Sequence, residues 1–348
     1  MVAAGDIDAL LVTELVNVEY LTGFRASNAA CLVGPGIRTF LTDFRYADSA
    51  AAEVHGWDVE IVSGEWLAGL AGRLSAAVGK GRIGIEDDHV TVRTGRLLGE
   101  KLDDGVSLSD SGGMVEYLRR CKDDREIAAI AAAAVLTDAI YTEIFERGLV
   151  GRTEAEVADY VVARMREQGA EPSFPPIVAA GPNGASPHAE PGARAIGPGE
   201  LVVIDMGSRL DGYCSDCTRT VATGELEAEA AEIYAVTLRA QELALDAVAA
   251  GRGAADIDAV SRDVIEEAGY GEFFGHGLGH GVGLEIHEAP RLGPRSGDTL
   301  IEGDVVTVEP GIYLSGRYGV RIEDLVVVGA DGVAANLSAH PKVLTRVE

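Results

Sequence analysis

At 348 residues the chain is longer than one hydrophobic core usually serves and suits two domains. Its 47% hydrophobic and 24% charged residues are globular in kind, while a net charge of −27, from 29 Lys+Arg against 56 Asp+Glu, argues against nucleic acid or an anionic membrane as partner. Met1-Val-Ala-Ala-Gly-Asp6 has neither the basic region nor the apolar core of a secretory leader, and the longest apolar run, residues 127–136, falls far short of the roughly 20 residues that span a bilayer, so a cytoplasmic location is expected.

Up to about residue 120, short apolar runs at 8–12, 30–33, 38–41, 59–62 and 82–85 read as strands. Residues 46–54, 65–78 and 92–102 between them read as helices. This alternation implies an α/β sheet domain, and it contains no phosphate-loop or dinucleotide fingerprint. His55 and His89 stand alone there as ordinary surface or packing residues. Residues 111–120 and 123–147 are helical in pattern. Lys122-Asp-Asp-Arg-Glu126 between them reads as a charged hinge, which sets the domains at 1–121 and 122–348. Thr153-Glu-Ala-Glu156 resembles a capping box opening a helix over 153–168.

Seven prolines between Pro172 and Pro198 then mark a loop-rich passage around one strand, 176–180, and this passage carries His188. Residues 201–206 and 213–221 form a hairpin about Arg209-Leu-Asp-Gly212, and helices over 227–249 and 255–268 follow. Four cysteines are too few and too scattered for a disulfide framework. Cys214-Ser-Asp-Cys217 has no second pair to complete a zinc site, and on a strand its sulfurs would face opposite ways. Lysine occurs only at 80, 101, 122 and 342, so arginine carries most of the positive charge.

Phe274-Gly-His-Gly-Leu-Gly-His-Gly-Val-Gly-Leu-Glu-Ile-His-Glu288 holds three of the seven histidines. His276 and His280 are spaced as on one helix face. Five glycines in nine residues would cost such a helix roughly 1 kcal/mol each, however, so an extended segment is expected. With period two, His276, Leu278, His280 and Val282 would share one face.

Carboxylates recur in apolar strand company. The hairpin places Asp205 and Asp216 on one face, directly opposed if the turn is Leu210-Asp211 and diagonal if it is Asp211-Gly212. Glu309 ends a strand stopped by Pro310-Gly311, and Arg321 and Glu323 share one face of the last strand, 319–328. Four such carboxylates converging without a cation would repel by about 4 kcal/mol per pair at 4 Å and an effective dielectric near 20. Two divalent cations would balance them and His280 would complete an oxygen-rich set, better suited to Mn²⁺ than to a structural zinc. Two metals roughly 3.5–4 Å apart acidify a water and polarise a carbonyl, which is the chemistry of acyl hydrolysis.

Asp205-Met-Gly207, Ser215-Asp-Cys-Thr-Arg-Thr220, His276-Gly-Leu-Gly-His-Gly281, Glu309-Pro-Gly311 and Arg321-Ile-Glu323 resemble, in order and spacing, the metal motifs of the pita-bread metallopeptidases. Within these the chain resembles the prolidase and Xaa-Pro aminopeptidase branch. Val16-Asn-Val-Glu-Tyr-Leu-Thr-Gly23 and Phe40-Leu-Thr-Asp-Phe-Arg-Tyr46 are similar to the N-terminal domain that branch shares with creatinase.

The resemblance implies an α+β protein, with a creatinase/prolidase-like α/β domain preceding a pita-bread catalytic domain. It implies that Asp205 chelates one metal, that His280 and Glu309 bind the other, and that Asp216 and Glu323 bridge them. Glu309 would also shuttle a proton. His188, His276 and His287 would hold the substrate and the developing oxyanion, and Arg321 would orient the shell. The metals implied are two divalent ions, Mn²⁺ first, with Co²⁺ or Zn²⁺ as alternatives, and the assembly implied is a homodimer.

A bond to proline lacks an amide N–H and carries a fixed ring, so general peptidases handle it poorly. The expected activity is release of the N-terminal residue from peptides with proline second, with Xaa-Pro dipeptidase as the alternative. A binding or scaffold protein of this fold would have lost ligands, and none is lost here. Methionine aminopeptidase shares the ligands but lacks the extra N-terminal domain and these flanks.

Overall fold

A computed structural model describes residues 7–330 and 332–348; the six N-terminal residues read above for a leader lie outside the described residues. The chain divides into two compact units, one ending at Arg119 and the other running from Arg120 to Glu348.

The first unit is built on a six-stranded mixed sheet. In space its strands run Asp58–Ile61, Ile37–Thr42, Ala29–Gly34, Ala9–Val12, Gly81–Ile85 and Val106–Asp110. Helices Trp66–Val78 and Val92–Gly99 cover a core of Leu11, Leu32, Leu41, Leu70, Leu74 and Ile83. The helix Leu15–Thr22 and the edge strand Val106–Asp110 have no counterpart in the sequence reading. The helix has no acidic first turn or basic last turn to announce it, and the strand is short, with only Val106 and Leu108 as apolar residues.

In the second unit, helices flank mainly antiparallel strands. Ile177–Ala180, Leu201–Met206 and Cys217–Ala222 form one sheet. Glu288–Leu292, Gly279–Gly281, Val305–Val308, Asp324–Val328 and Ala334–Asn336 form another, while Gly311–Leu314 pairs with Tyr318–Arg321. Lys122-Asp-Asp-Arg-Glu126 is a helix start and not a hinge. Asp123 and Glu126 make a reciprocal capping box at the head of Asp124–Arg147, and the Lys122 side chain is buried against Glu288. The Thr153–Glu156 box forms as the sequence suggests. Asp124–Arg147 is the one helix among the described residues long and apolar enough to cross a membrane. It buries Ile130, Ala133, Thr137, Ile140, Tyr141 and Ile144 at the three- and four-residue spacing of a core-facing stripe.

The aspartate hairpin turns at Asp211-Gly212, whose φ values of 48° and 96° are both positive, as a type I′ turn requires. That register sets Asp205 opposite Thr218, so Asp216 is the diagonal neighbour. The ladder breaks where Gly207 passes Ser215: a Cβ there would lie 1.9 Å from the Ser215 carbonyl. Two other expectations fail. Residues 319–328 are not one strand but two, Tyr318–Arg321 and Asp324–Val328, which join different sheets because the chain turns at Ile322-Glu323. The Gly/His segment is a strand only at Gly279–Gly281, with a register shift after His280. Leu278 and Val282 therefore enter the core while His276 and His280 meet the cavity, and the four do not share a face.

Helix Asp124–Arg147 fixes the hairpin from behind. The Thr137 hydroxyl lies 2.9 Å from the hydroxyls of both Ser208 and Ser215, and one turn later the Tyr141 hydroxyl lies 2.8 Å from the carbonyls of both Ile204 and Cys217. Those carbonyls adjoin Asp205 and Asp216 in sequence. Tyr141→Phe should lower unfolding free energy by about 1–3 kcal/mol, the cost of leaving buried acceptors unpaired. A denaturant melt superimposable on wild type would show that the hydroxyl does not brace these strands.

Candidate metal centre

A cavity of about 1120 Å³ in the second unit collects every residue singled out above: Asp205, Asp216, His280, Glu309 and Glu323, with His188, His276, His287 and Arg321 in its wall. The ligand candidates come from separate strands or strand ends, and Asp205, Asp216, His280 and Glu323 are buried. His188 and His287 are exposed to the cavity. Two glycines explain how the histidine segment enters. A Cβ at Gly279 would lie 2.0 Å from the Thr307 carbonyl and one at Gly281 would lie 2.2 Å from that of Ala289, so only glycine allows the close approach on either side of His280.

The donor set fits divalent cations. Asp205 Oδ1, Asp216 Oδ1 and Glu323 Oε1 are buried with no hydrogen-bond partner, a costly state for carboxylate oxygens. Asp216, His280 and Glu323 each offer an atom within 4.8 Å of the others. His280 Nδ1 faces the Gly281 carbonyl at 3.1 Å and must donate to it, which leaves Nε2 bare. That bare nitrogen lies 3.3 Å from Glu309 Oε1 and 3.6 Å from Asp216 Oδ2. Acceptors facing one another at such distances call for a shared proton or cation. Asp205 Oδ2 is already held by Arg321 Nη2 at 2.5 Å, so Oδ1 is its atom available to a metal.

The pKa shifts report the same crowding. Burial, reinforced by neighbouring carboxylates, raises Asp216 and Glu323 well above the usual carboxylate range, and burial lifts Glu309 to about 7. Burial acts the other way on imidazoles, lowering His276 to about 4, His280 to about 3 and His287 in the same direction.

Several supporting residues escaped the sequence reading. The Thr218 hydroxyl donates to Glu323 Oε2 at 2.7 Å and accepts from Arg321 Nε at 3.0 Å. The Thr307 hydroxyl joins the His280 backbone N–H to Glu309 Oε1, at 3.1 and 3.2 Å. Tyr313 Oη accepts from Arg321 Nη1 and contacts His276 Nε2, both at 3.0 Å. Because His276 Nδ1 donates to the Gly277 carbonyl at 2.7 Å, Nε2 accepts the Tyr313 hydroxyl proton and both ring nitrogens are spent. His276 therefore belongs with Arg321 in holding the frame. Asp258 and Arg262, one helical turn apart, clamp the segment's entry: Asp258 accepts the Leu278 N–H, and Arg262 donates to the carbonyls of Phe274 and His276. Lys122 Nζ, 2.9 Å from Glu288 Oε2, anchors the turn that carries His287. The i,i+4 spacing of Asp258 and Arg262 was the one readable signal among these.

An α/β unit followed by an antiparallel-strand unit with a buried carboxylate–imidazole centre defines a two-part metallohydrolase. Residues 128–330 match the model of metallopeptidase family M24, more than half of the chain, and residues 1–121 match the Creatinase/Prolidase N-terminal domain, so the protein belongs to the M24 metallopeptidases. It is 38% identical to the uncharacterized peptidase YqhT of Bacillus subtilis over 94% of this chain and 92% of that one. Among solved structures, an Xaa-Pro dipeptidase from Bacillus anthracis superposes with a TM-score of 0.93 at 38% identity, covering 98% and 95% of the two chains. An X-Pro aminopeptidase from Thermotoga maritima superposes at 0.90 and 34% identity, covering 98% of each. The expected architecture, a creatinase/prolidase-like α/β domain and a pita-bread catalytic domain, is the one observed.

Removing metal should make stability depend on pH with a definite sign. Unfolded histidines titrate near pH 6.5, so only above about pH 7.5 are they neutral in both folded and unfolded chains and without effect. The unfolded carboxylates are then ionised, while Asp216 and Glu323 in the metal-free fold still bind protons, so stability falls as pH rises further. Each proton retained contributes a slope of about 1.4 kcal/mol per pH unit. The melting temperature of the chelated protein should therefore fall from pH 7.5 to 8.5 while that of the Mn²⁺-loaded protein holds. A gap between them that stays constant would rule out this ligand set.

Proposed function

We propose that this metallopeptidase hydrolyses the Xaa-Pro bond, and that its preferred substrates are short peptides with a free carboxylate beside the proline. This favours the dipeptidase alternative over the aminopeptidase reading reached from sequence. The observation that carries it is Arg291. It stands opposite His280 in the strand pairing, and in an antiparallel pair opposed side chains emerge on the same face. Its guanidinium lines the cavity and has no hydrogen bond or ion pair among the described residues. After the larger effect of burial, its charge also lowers the pKa values of His280 and His287. An unpartnered guanidinium over the ligand set offers a bidentate seat for a carboxylate. The names of the similar Xaa-Pro dipeptidase and X-Pro aminopeptidase support the bond, and both kinds of enzyme stand close to this chain.

Two divalent cations, Mn²⁺ first among candidates, would be held by Asp205, Asp216, His280, Glu309 and Glu323, and when bound would supply an acidified water and polarise the scissile carbonyl. Glu309, with a pKa displaced toward neutrality, takes the proton of the attacking water and returns it to the proline nitrogen as the C–N bond breaks. The exposed imidazoles of His188 and His287 face the substrate, and burial keeps His287 largely neutral near pH 7. Arg321, engaged with Asp205, Thr218, Tyr313 and the Pro187 carbonyl, fixes the loop beside His188 relative to the ligands.

A panel of Ala-Pro, Ala-Pro-amide and Arg-Pro-Pro with Mn²⁺ tests the reading. Ala-Pro should be the best substrate, and Arg291→Ala should lower its kcat/KM about tenfold or more, the worth of a hydrogen bond to a charged group, while leaving the amide unchanged. Faster cleavage of Arg-Pro-Pro, indifferent to Arg291→Ala, would restore the aminopeptidase reading.

A further inference from the structure

Only two lysines lie in the catalytic unit, Lys122 and Lys342, and each is paired with an acid one residue beyond a site residue: Glu288 after His287, and Asp324 after Glu323. The second pair is the more telling. Asp324 is fully buried and, unlike Glu323, does not line the cavity. Its Oδ1 accepts from Arg219 Nη2 at 2.8 Å. Its Oδ2 accepts from Lys342 Nζ at 2.6 Å, Asn336 Nδ2 at 2.8 Å and Gln241 Nε2 at 3.1 Å, and Lys342 also donates to Gln241 Oε1 at 2.8 Å.

Arg219 carries this cluster to the ligand. Its Nη1 donates to the Glu323 carbonyl at 2.5 Å, while the Glu323 N–H donates to the Thr218 carbonyl at 3.1 Å. The peptide groups on both sides of the Glu323 side chain are thus fastened to the strand that begins just after Asp216. The C-terminal segment closes the clamp from outside. The carbonyls of His340 and Pro341 accept from Arg219 at 2.6 and 3.2 Å, and Asp138 on the long helix accepts the N–H groups of Ala339 and His340. Beyond Lys342, backbone bonds between Ala222 and both Thr345 and Val347 keep the segment in place.

A buried cluster of this kind is a poor source of stability, since well-packed apolar residues would do as well or better. Its consequence is geometry. Metal-site partners one shell out typically govern about 10–100-fold in affinity, because a ligand must be held close to the metal's preferred position. We propose that Lys342 is a positioning residue for Glu323, acting through Asp324 and Arg219, and that the C-terminal segment is thereby a working part of the metal centre.

The proposal rests on the metal-ligand reading and not on the dipeptide reading, so it is tested without peptide. Calorimetric titration of the metal-free full-length protein with Mn²⁺ should show Lys342→Met weakening binding about tenfold, with Lys342→Arg recovering most of the loss. The Thr345→Ala control, whose hydroxyl donates only to the Val343 carbonyl among the described residues, should bind as wild type. If Lys342→Met does not fold, Asn336→Ala, which removes another donor to Asp324, carries the test with an expected loss of about threefold. Lys342→Met that melts lower yet binds Mn²⁺ within about twofold of wild type would overturn the proposal and leave the lysine a tether for the tail. Wild type that binds no Mn²⁺ would instead overturn the ligand set, and the proposal with it.

Discussion

Four carboxylates and one bare imidazole nitrogen gathered in a single buried place set the terms for the rest of the catalytic unit. Asp205, Asp216, Glu309 and Glu323 cannot all be ionised there unless positive charge arrives, and Arg321 supplies only one unit of it. The metal-free fold answers with protons, as the raised carboxylate pKa values record. A bound metal would replace those protons. The centre is thus a place where folding has concentrated repulsion, and the surrounding residues are those that can hold ligands still while they repel.

That holding is distributed. Thr218 and Thr307 are small hydroxyls within strands, and each fastens two groups of the centre to each other. Arg321 lies one layer further out, joining Asp205 to Tyr313 and, through it, to His276. Outside that are buried ion pairs whose partners are far apart in sequence, Arg219 with Asp324 and Lys122 with Glu288. The backbone contributes by absence: Gly207, Gly279 and Gly281 stand where a Cβ would strike another strand's carbonyl.

The candidate ligands were legible because a carboxylate in an otherwise apolar strand breaks a strong local pattern. Asp205, Asp216, Glu309 and Glu323 each do so, and a positional resemblance joined them. The hairpin register was legible only as two alternatives, since choosing between them needs the φ angles of Asp211 and Gly212. What stayed hidden had no local signature. A threonine or tyrosine in a β-rich stretch, as Thr218 or Tyr313, looks like any other strand former. The division of residues 318–328 between two sheets depends on which strands stand beside each half, which no window of sequence contains. The histidine segment misled for the same reason: alternation presumes a flat ladder, and the register shift after His280 removes it. Lys122 looked like hinge charge because its partner lies 166 residues away.

The overall charge and the cavity pull in opposite directions, and distance decides between them. A surface of net charge −27 repels a peptide carboxylate, yet at physiological ionic strength interactions between exposed charges fade beyond about 8 Å. Within that range of the ligands the arginines matter most. Of those lining the cavity, Arg262 and Arg321 are committed to the frame, whereas the guanidinium groups of Arg291 and Arg295 have no hydrogen bond or ion pair among the described residues. Low-dielectric walls focus such local charge, so an anionic substrate meets a field set by the cavity and not by the protein as a whole. An acidic exterior is therefore compatible with the proposed seating of a substrate carboxylate on Arg291.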